Sequence, residues 1–296
     1  MIAVPESLGW WADEPGGAEW LERLPRLAAE LAERWSLELG EPFLGGMVSL
    51  VLVATRADGT PAVLKMNFPE PESEHEAAAM GVWGGRGAAR LLEHDEARRA
   101  LLLERCLPGS TLWEQPDGDE ATRIAASVLR ELHVPLADGA PFASLAEVAL
   151  RWADELPGDW ERAGRPCPWS VIDAGAGLLR ELAGSQGPAV LVHQDLHGGN
   201  IVRRDGGWCA IDPKPLAGEA EFDTASYVRD RRDELAGSER FLPAMQRRLD
   251  VLAEELGLDR ERMRGWAIGH DLAWGLEDYG EDGEAMVEAA TLLLEG

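Results

Sequence analysis

The run Ala189-Val190-Leu191-Val192-His193-Gln194-Asp195-Leu196-His197-Gly198-Gly199-Asn200 limits what this chain can be more than any other. Its apolar, β-branched start reads as a buried strand. The strand feeds a loop of the form H-x-D-x-x-x-x-N. A hairpin follows, Ile201–Arg203 and Trp208–Ile211, turned by Asp205-Gly206-Gly207, and it ends on an apolar residue and an acid, Ile211-Asp212. The spacing lets Asn200 fold back toward Asp195, and the hairpin returns Asp212 to the same place.

Phosphoryl transfer to a hydroxyl asks for these side chains. A carboxylate must orient the attacking hydroxyl and accept its proton, which makes Asp195 the candidate base. Mg2+ prefers carboxylate and amide oxygens, which makes Asn200 and Asp212 candidate ligands. His193 leads the loop, and the whole is the catalytic-loop pattern of kinase-like phosphotransferases. Two other readings of these residues stay open. One is a tight loop whose His, Asp and Asn make turn hydrogen bonds only. The other is a metal site of His193, Asp195 and His197, which leaves Asn200 and Asp212 unexplained.

A kinase also needs a cation for the nucleotide phosphates. Of 28 basic residues only Lys65 and Lys214 are lysine. A background that favours arginine keeps lysine where a compact ammonium is wanted. Lys65 ends the apolar strand Ala62-Val63-Leu64-Lys65, and an acidic, alanine-rich helix expected at 72–83 follows it. Glu76 is the candidate to hold Lys65, with Glu74 next. Gly45-Gly46-Met47-Val48-Ser49 stands where a phosphate-covering turn belongs, so Gly45, Gly46 and Ser49 are candidate nucleotide contacts; a plain hairpin turn explains the stretch equally. The chain has no Walker A sequence. Leu101–Gly109, with Glu104 and Cys106, is an apolar strand leaving into a turn, the place of a hinge that receives adenine through its backbone.

The rest of the pattern gives an α+β, two-lobed, protein-kinase-like fold. A helix is expected at 19–35, strands at Leu37–Leu39, Phe43-Leu44, Val48–Thr55, Ala62–Met66, Ala89–Glu93 and Ala100–Glu104, with Asp58-Gly59 turning one hairpin. That is a small antiparallel sheet with one helix against it. Helices are expected at 119–134, 142–156 and 169–183, and again from 221 onward. The division falls at 105–109: a nucleotide-binding N-lobe with a leading helix at 1–105, and a larger helical C-lobe at 106–296 carrying the catalytic loop and acceptor site.

Composition excludes several classes. A net charge of −26 argues against nucleic acid or an anionic membrane as partner and fits a cationic ligand, though solubility alone also explains it. No apolar stretch is long enough for a membrane span, and the first twenty residues lack the features of a signal peptide, so the cytoplasm is the expected location. Three cysteines without C-x-x-C spacing argue against a disulfide framework or zinc site.

With these elements in order, roughly residues 40–280 resemble the aminoglycoside phosphotransferase superfamily, and more narrowly the streptomycin 6-kinase and hydroxyurea kinase family. The narrow likeness rests on Trp83-Gly84-Gly85-Arg86-Gly87-Ala88, on Leu101–Gly109, and on Ala210-Ile211-Asp212-Pro213-Lys214-Pro215 followed by Phe222-Asp223. The resemblance implies ATP and Mg2+ as cofactors, Asp195 as base, Asn200 and Asp212 on Mg2+, and Lys65 with Glu76 on ATP. It also implies that Asp223 braces the catalytic loop. Gln194 departs from the pattern, where the superfamily usually has glycine. Lys214 either contacts phosphate or pairs with Glu219 or Glu221.

Only ten residues separate Asp212 from Asp223, too few for a peptide-docking activation segment, so a small acceptor is expected, taken by a monomer. Its contacts belong to 142–175 and 221–280. Trp266, His270 and Trp274 share a helix face, with Asp271, Glu277 and Asp278 nearby. They read either as an acceptor surface or, preferably, as an aromatic core stripe beside a solvated acidic face. The expected activity is ATP-dependent phosphorylation of a hydroxyl on an aminoglycoside such as streptomycin. The alternatives are a metabolic kinase for an amino sugar or amino alcohol, and last, a non-catalytic nucleotide-binding protein.

Overall fold

Strand register and one leading helix build the first of two units in the computed structural model, which describes residues 2–43, 48–137, 139–277 and 279–296. The units are Met1–Gly109 and Ser110–Gly296. Unit one opens with a 3-10 turn at Glu6–Asp13 and helix α1 (Gly17–Trp35). Five antiparallel strands follow: β1 (Leu37–Pro42), β2 (Ser49–Arg56), β3 (Pro61–Asn67), β4 (Leu91–Asp95) and β5 (Ala100–Glu104), in the order β1-β2-β3-β5-β4. Leu24, Ala28 and Leu31 of α1 join Leu50, Leu52, Leu64, Met66 and Leu102 of the sheet in one buried core. Helix α2 (Glu76–Trp83) lies between β3 and β4 in sequence.

The helix expected at 72–83 is shorter. The Ser73 hydroxyl donates to the carbonyls of Phe68 and Glu70, holding 70–75 in turns, and the helix starts only at Glu76. Phe43 likewise falls outside β1, which stops at Pro42.

The second unit is mostly helical: α3 (Gly118–Leu132), α4 (Leu145–Arg162), α5 (Trp169–Gly184), the short α6 (Ala225–Val228) and α7 (Arg232–Leu235), then α8 (Phe241–Leu256), α9 (Arg260–Glu277) and α10 (Glu281–Glu295). The buried strand is β8 (Val190–Val192). Short strands β6 (Val134–Pro135), β7 (Ala143–Ser144) and β11 (Leu216–Gly218) join it in the order β6-β8-β11-β7. The hairpin after the loop is β9 (Ile201–Arg204) with β10 (Gly207–Ala210).

Helix α4 runs on through Pro157 to Arg162, past the expected end at 156. A proline cannot donate to the carbonyl four residues back. Here that carbonyl is Ala153 O, and Arg180 Nη2 donates to it at 3.0 Å. The lost bond is replaced from α5 and the helix continues. Helices α5 and α9 approach closely enough that a Cβ on Gly269 would stand 2.5 Å from Leu179 Cδ2.

Candidate active site

In the first unit, β3 carries Lys65 and α2 begins with Glu76. Lys65 Nζ lies 2.7 and 2.8 Å from the two carboxylate oxygens of Glu76, with both side chains buried. Asn67, two residues on and so on the same strand face, donates to Glu76 Oε2 at 2.7 Å. Ser49, opposite Asn67 in the ladder, donates to Asn67 Oδ1 at 2.7 Å. Ser49 therefore belongs to a brace: serine holds asparagine, asparagine and lysine share one carboxylate. Glu104 ends β5, and Cys106 follows it, half-buried. Gly45 and Gly46 lie outside the described residues.

In the second unit, the loop 193–200 is laced to the segment 211–214. Asn200 Nδ2 donates to Asp195 O at 2.9 Å, the fold-back its spacing called for. Ile211 N–H donates to Asn200 O at 2.9 Å, and Lys214 N–H to His193 O at 3.0 Å. His193 Nε2 lies 3.0 Å from Ile211 O; a carbonyl accepts only, so Nε2 carries the proton. Burial holds the His193 pKa below its ordinary value, which keeps the ring neutral. Asp195, Asn200, Asp212, His193 and Lys214 are thus brought together.

Two non-glycine residues here have left-handed backbones, Gln194 at φ 69° and Asp212 at φ 59°. Such conformations cost about 1–2 kcal/mol in an L-residue and collect at functional sites. A glycine at 194 would take this backbone without that cost. The buried Gln194 is held from both sides: its N–H donates to Asp223 Oδ1 at 2.7 Å, and Ser226 Oγ donates to its carbonyl at 3.0 Å. Asp223 Oδ1 also accepts from His193 N–H at 2.8 Å, and its Oδ2 lies 3.2 Å from His133 Nε2.

Sequence reasoning did not find the other braces. Asp230 Oδ1 accepts from Gly198 N–H at 3.0 Å and from Trp113 Nε1 at 2.8 Å. Arg229 Nη2 donates to Ser226 Oγ at 3.2 Å. A signal was present: Asp223, Ser226 and Asp230 stand at i, i+3 and i+7, one helical face, and all three bond the loop backbone. Asn67 was visible too, at period two from Lys65.

Helix α9 corrects one expectation. Trp266 and His270 are core residues, but Asp271 is not on a solvated face: it is fully buried and receives Arg229 Nη1 at 2.7 Å. Burial pushes its carboxyl up to about 7 against the pull of Arg229. Burial, then Arg229 and Lys214, push His270 well down. Lys214 Nζ sits 4.5 Å over the Trp274 ring. Of its two expected partners, Glu219 is engaged by Arg262, Gly187 N–H and Trp266.

A cleft of about 360 Å³ opens beside α4 and α9, lined by Trp152, Asp154, Glu155, Asp159, Arg162 and Glu277. Four carboxylates line it, and three of them are paired with arginines: Asp154 with Arg180, Glu155 with Arg151 and Asp159 with Arg162. Trp152 meets His270 edge-on at 5.8 Å, and His270 meets Trp274 at 4.3 Å, so packed rings run from the cleft to the ring under Lys214.

The donor set suits magnesium. Asn200 spends its amide N–H on Asp195 O, so its amide oxygen could serve a cation, and Asp212 could offer a carboxylate beside it.

Comparison with known proteins places this arrangement. The family model described as aminoglycoside/hydroxyurea antibiotic resistance kinase matches residues 34–277. Streptomycin 6-kinase of Streptomyces glaucescens is 35% identical over 299 residues, covering 99% of this chain and 96% of that protein. Hydroxyurea phosphotransferase of Kitasatospora aureofaciens is 39% identical over 278 residues, covering 88% and 76%. Among solved structures, an aminoglycoside phosphotransferase mutant in ternary complex with ADP and hygromycin B superimposes with a TM-score of 0.61 at 15% identity, over 90% of this chain and 98% of that one. It shares the fold.

Proposed function

This chain belongs to the aminoglycoside/hydroxyurea antibiotic resistance kinase family, and from that premise we propose that it moves the γ-phosphoryl group of ATP onto a hydroxyl of streptomycin or a closely related cationic acceptor. It is an ATP-dependent phosphotransferase with a hydroxyl acceptor. The observation that carries the reading is the lacing of the H-x-D-x-x-x-x-N loop to Ile211 and Lys214, which flank Asp212.

Asp195 orients the acceptor hydroxyl and takes its proton as the oxygen bonds to the γ-phosphorus. The bond from that phosphorus to the β-phosphate oxygen breaks, and ADP leaves. Asn200 and Asp212 would hold Mg2+, which would supply charge neutralisation for the phosphoryl oxygens. Lys65, fixed by Glu76, grips the nucleotide phosphates. The acidic cleft beside α4 and α9 supports an acceptor bearing ammonium or guanidinium groups, with Trp152 as an apolar wall. The proposal takes the enzyme as a cytoplasmic monomer. No described helix is long and apolar enough to cross a membrane.

The amino-alcohol and non-catalytic alternatives are not favoured. Relatives at 35% and 39% identity are named for streptomycin and hydroxyurea, and all the expected polar residues of the loop are present. The test is ADP release with Mg2+ and ATP against streptomycin, hydroxyurea, other aminoglycosides, amino sugars and amino alcohols. Turnover with streptomycin is expected. Turnover confined to an amino alcohol would overturn the acceptor.

A further inference from the structure

Trp113 is 42% exposed, yet its ring is not idle. It stacks on His197 with centroids 5.2 Å apart and planes 13° from parallel. A Cβ on Gly198 would stand 2.6 Å from Trp113 Cδ1, and one on Gly199 2.7 Å from Trp113 Cη2. The indole therefore lies directly on the two glycines that precede Asn200. Neither glycine has a positive φ, so the backbone alone does not demand them. The space demands them, and Trp113 fills it.

The ring is fixed from several directions. Its Nε1 donates at 2.8 Å to the buried Asp230, whose same oxygen accepts Gly198 N–H at 3.0 Å. Arg231 donates to the Trp113 carbonyl. The segment before it is tied to the hairpin, with Arg203 N–H donating to Ser110 O at 2.8 Å and Thr111 bridging to Val202. One carboxylate thus ties the ring and the loop to a single point, while the ring covers the peptide between them.

We propose that Trp113, with Asp230, is a positioning clamp for the catalytic loop, which sets Asn200 for its metal. The proposal rests on the assignment of Asn200 as a Mg2+ ligand. It acts on the second half of the loop, where Asp223 does not reach: Asp223 holds His193 and Gln194, and Asp230 holds Gly198.

The test is calorimetric binding of AMP-PNP to the full chain across Mg2+ concentrations, with the Tm of each variant recorded. Trp113→Ala and Gly198→Ala should each raise the Mg2+ needed for half-saturation by about tenfold, the lower end of the loss for groups that orient metal ligands. The pair Trp113→Ala with Gly198→Ala should fall well short of the product of the two single effects, because once the indole is gone the added methyl meets only Asp230 Oδ2, at 3.0 Å. Trp113→Phe keeps an exposed ring, does not endanger folding, and should give a smaller rise. A purely structural role would lower Tm and leave the Mg2+ requirement alone, so that pattern overturns the clamp. So do single effects that multiply in the double variant. Asn200→Ala separates the two levels. If it shifts the Mg2+ requirement and Trp113→Phe and Trp113→Ala do not, the clamp alone falls. If Asn200→Ala also leaves it unchanged, the ligand assignment falls and takes the clamp with it.

Discussion

Lys65 and the catalytic loop are positioned by opposite means. In the first unit, side chains hold side chains: Ser49, Asn67, Glu76 and Lys65 form a chain of bonds between neighbouring strands and the next helix. In the second, side chains hold backbone: Asp223, Ser226 and Asp230 bond the loop's N–H and C=O groups from 29 to 32 residues further along the chain. The first arrangement delivers one charge to one spot and lets strand register do the aiming. The second stabilises a main-chain path, including a left-handed residue, that the sequence of the loop does not favour by itself. A cation needs a counter-charge; a loop carrying several functional groups needs a fixed backbone.

The comparison can be broken at its chemical end first. Asp195→Ala should lower turnover by roughly 10²–10⁴, the usual contribution of a positioned base. Calorimetry with AMP-PNP should show nucleotide binding intact; turnover near normal would remove Asp195 from the base position.

Next come the braces. Glu76→Gln removes the carboxylate that grips the buried Lys65 ammonium, and breaking a buried pair costs about 3–5 kcal/mol. The expected readouts are a lower Tm and a raised KM for ATP. Asp223→Ala instead orphans two buried backbone N–H groups, at about 1–3 kcal/mol each. It should depress kcat more than KM for ATP, because it frees the loop and leaves Lys65 untouched. If both variants give the same split between kcat and KM, the distinction drawn here fails.

A smaller effect sharpens it. Gln194→Gly removes a left-handed side-chain residue worth about 1–2 kcal/mol of strain, offset by about 0.5–1 kcal/mol of glycine entropy. Denaturant unfolding should show stability equal to or slightly above the parent. A clear loss would mean that the glutamine side chain makes its own contribution.

A further test is a pH slope. Burial raises the Asp271 carboxyl from its ordinary 3.8 to about 7. A raised acid binds a proton on folding, so its stabilising contribution is full below pH 3.8 and is lost as pH rises through about 7. Asp271→Asn cannot titrate. The Tm gap between parent and variant should therefore narrow from pH 4 to pH 8; a constant gap would show that Arg229 keeps the carboxylate ionised throughout.

The two regions also differ in how far the sequence reveals them. Lys65 with Glu76 was readable because eleven residues and one strand-to-helix step separate them. Asp195, Asn200 and Asp212 were readable because a hairpin closes the distance. Asp230 and Trp113 were not: they sit 32 and 85 residues from Gly198, and no local period links a tryptophan to a glycine pair. Most of the expected elements followed their patterns, and two departures are instructive. Ser73 delayed α2 by capturing carbonyls, and Arg180 extended α4 by supplying the donor that Pro157 lacks. Asp271 was misread because a carboxylate on a helix looks solvated until its arginine, 42 residues earlier, is known.

The left-handed Gln194 has a consequence for the order in which this loop tolerates change. Glycine at 194 is permitted in any background. Glutamine there depends on Ser226 and Asp223 holding both sides of its peptide. The substitutions therefore do not commute. Ser226→Ala leaves the buried carbonyl of residue 194 without its donor in either background, and with glutamine there the strained backbone adds to that cost. With glutamine at 194, the left-handed backbone leans on its braces, so the strain at one residue sets how much a neighbour's hydroxyl is worth.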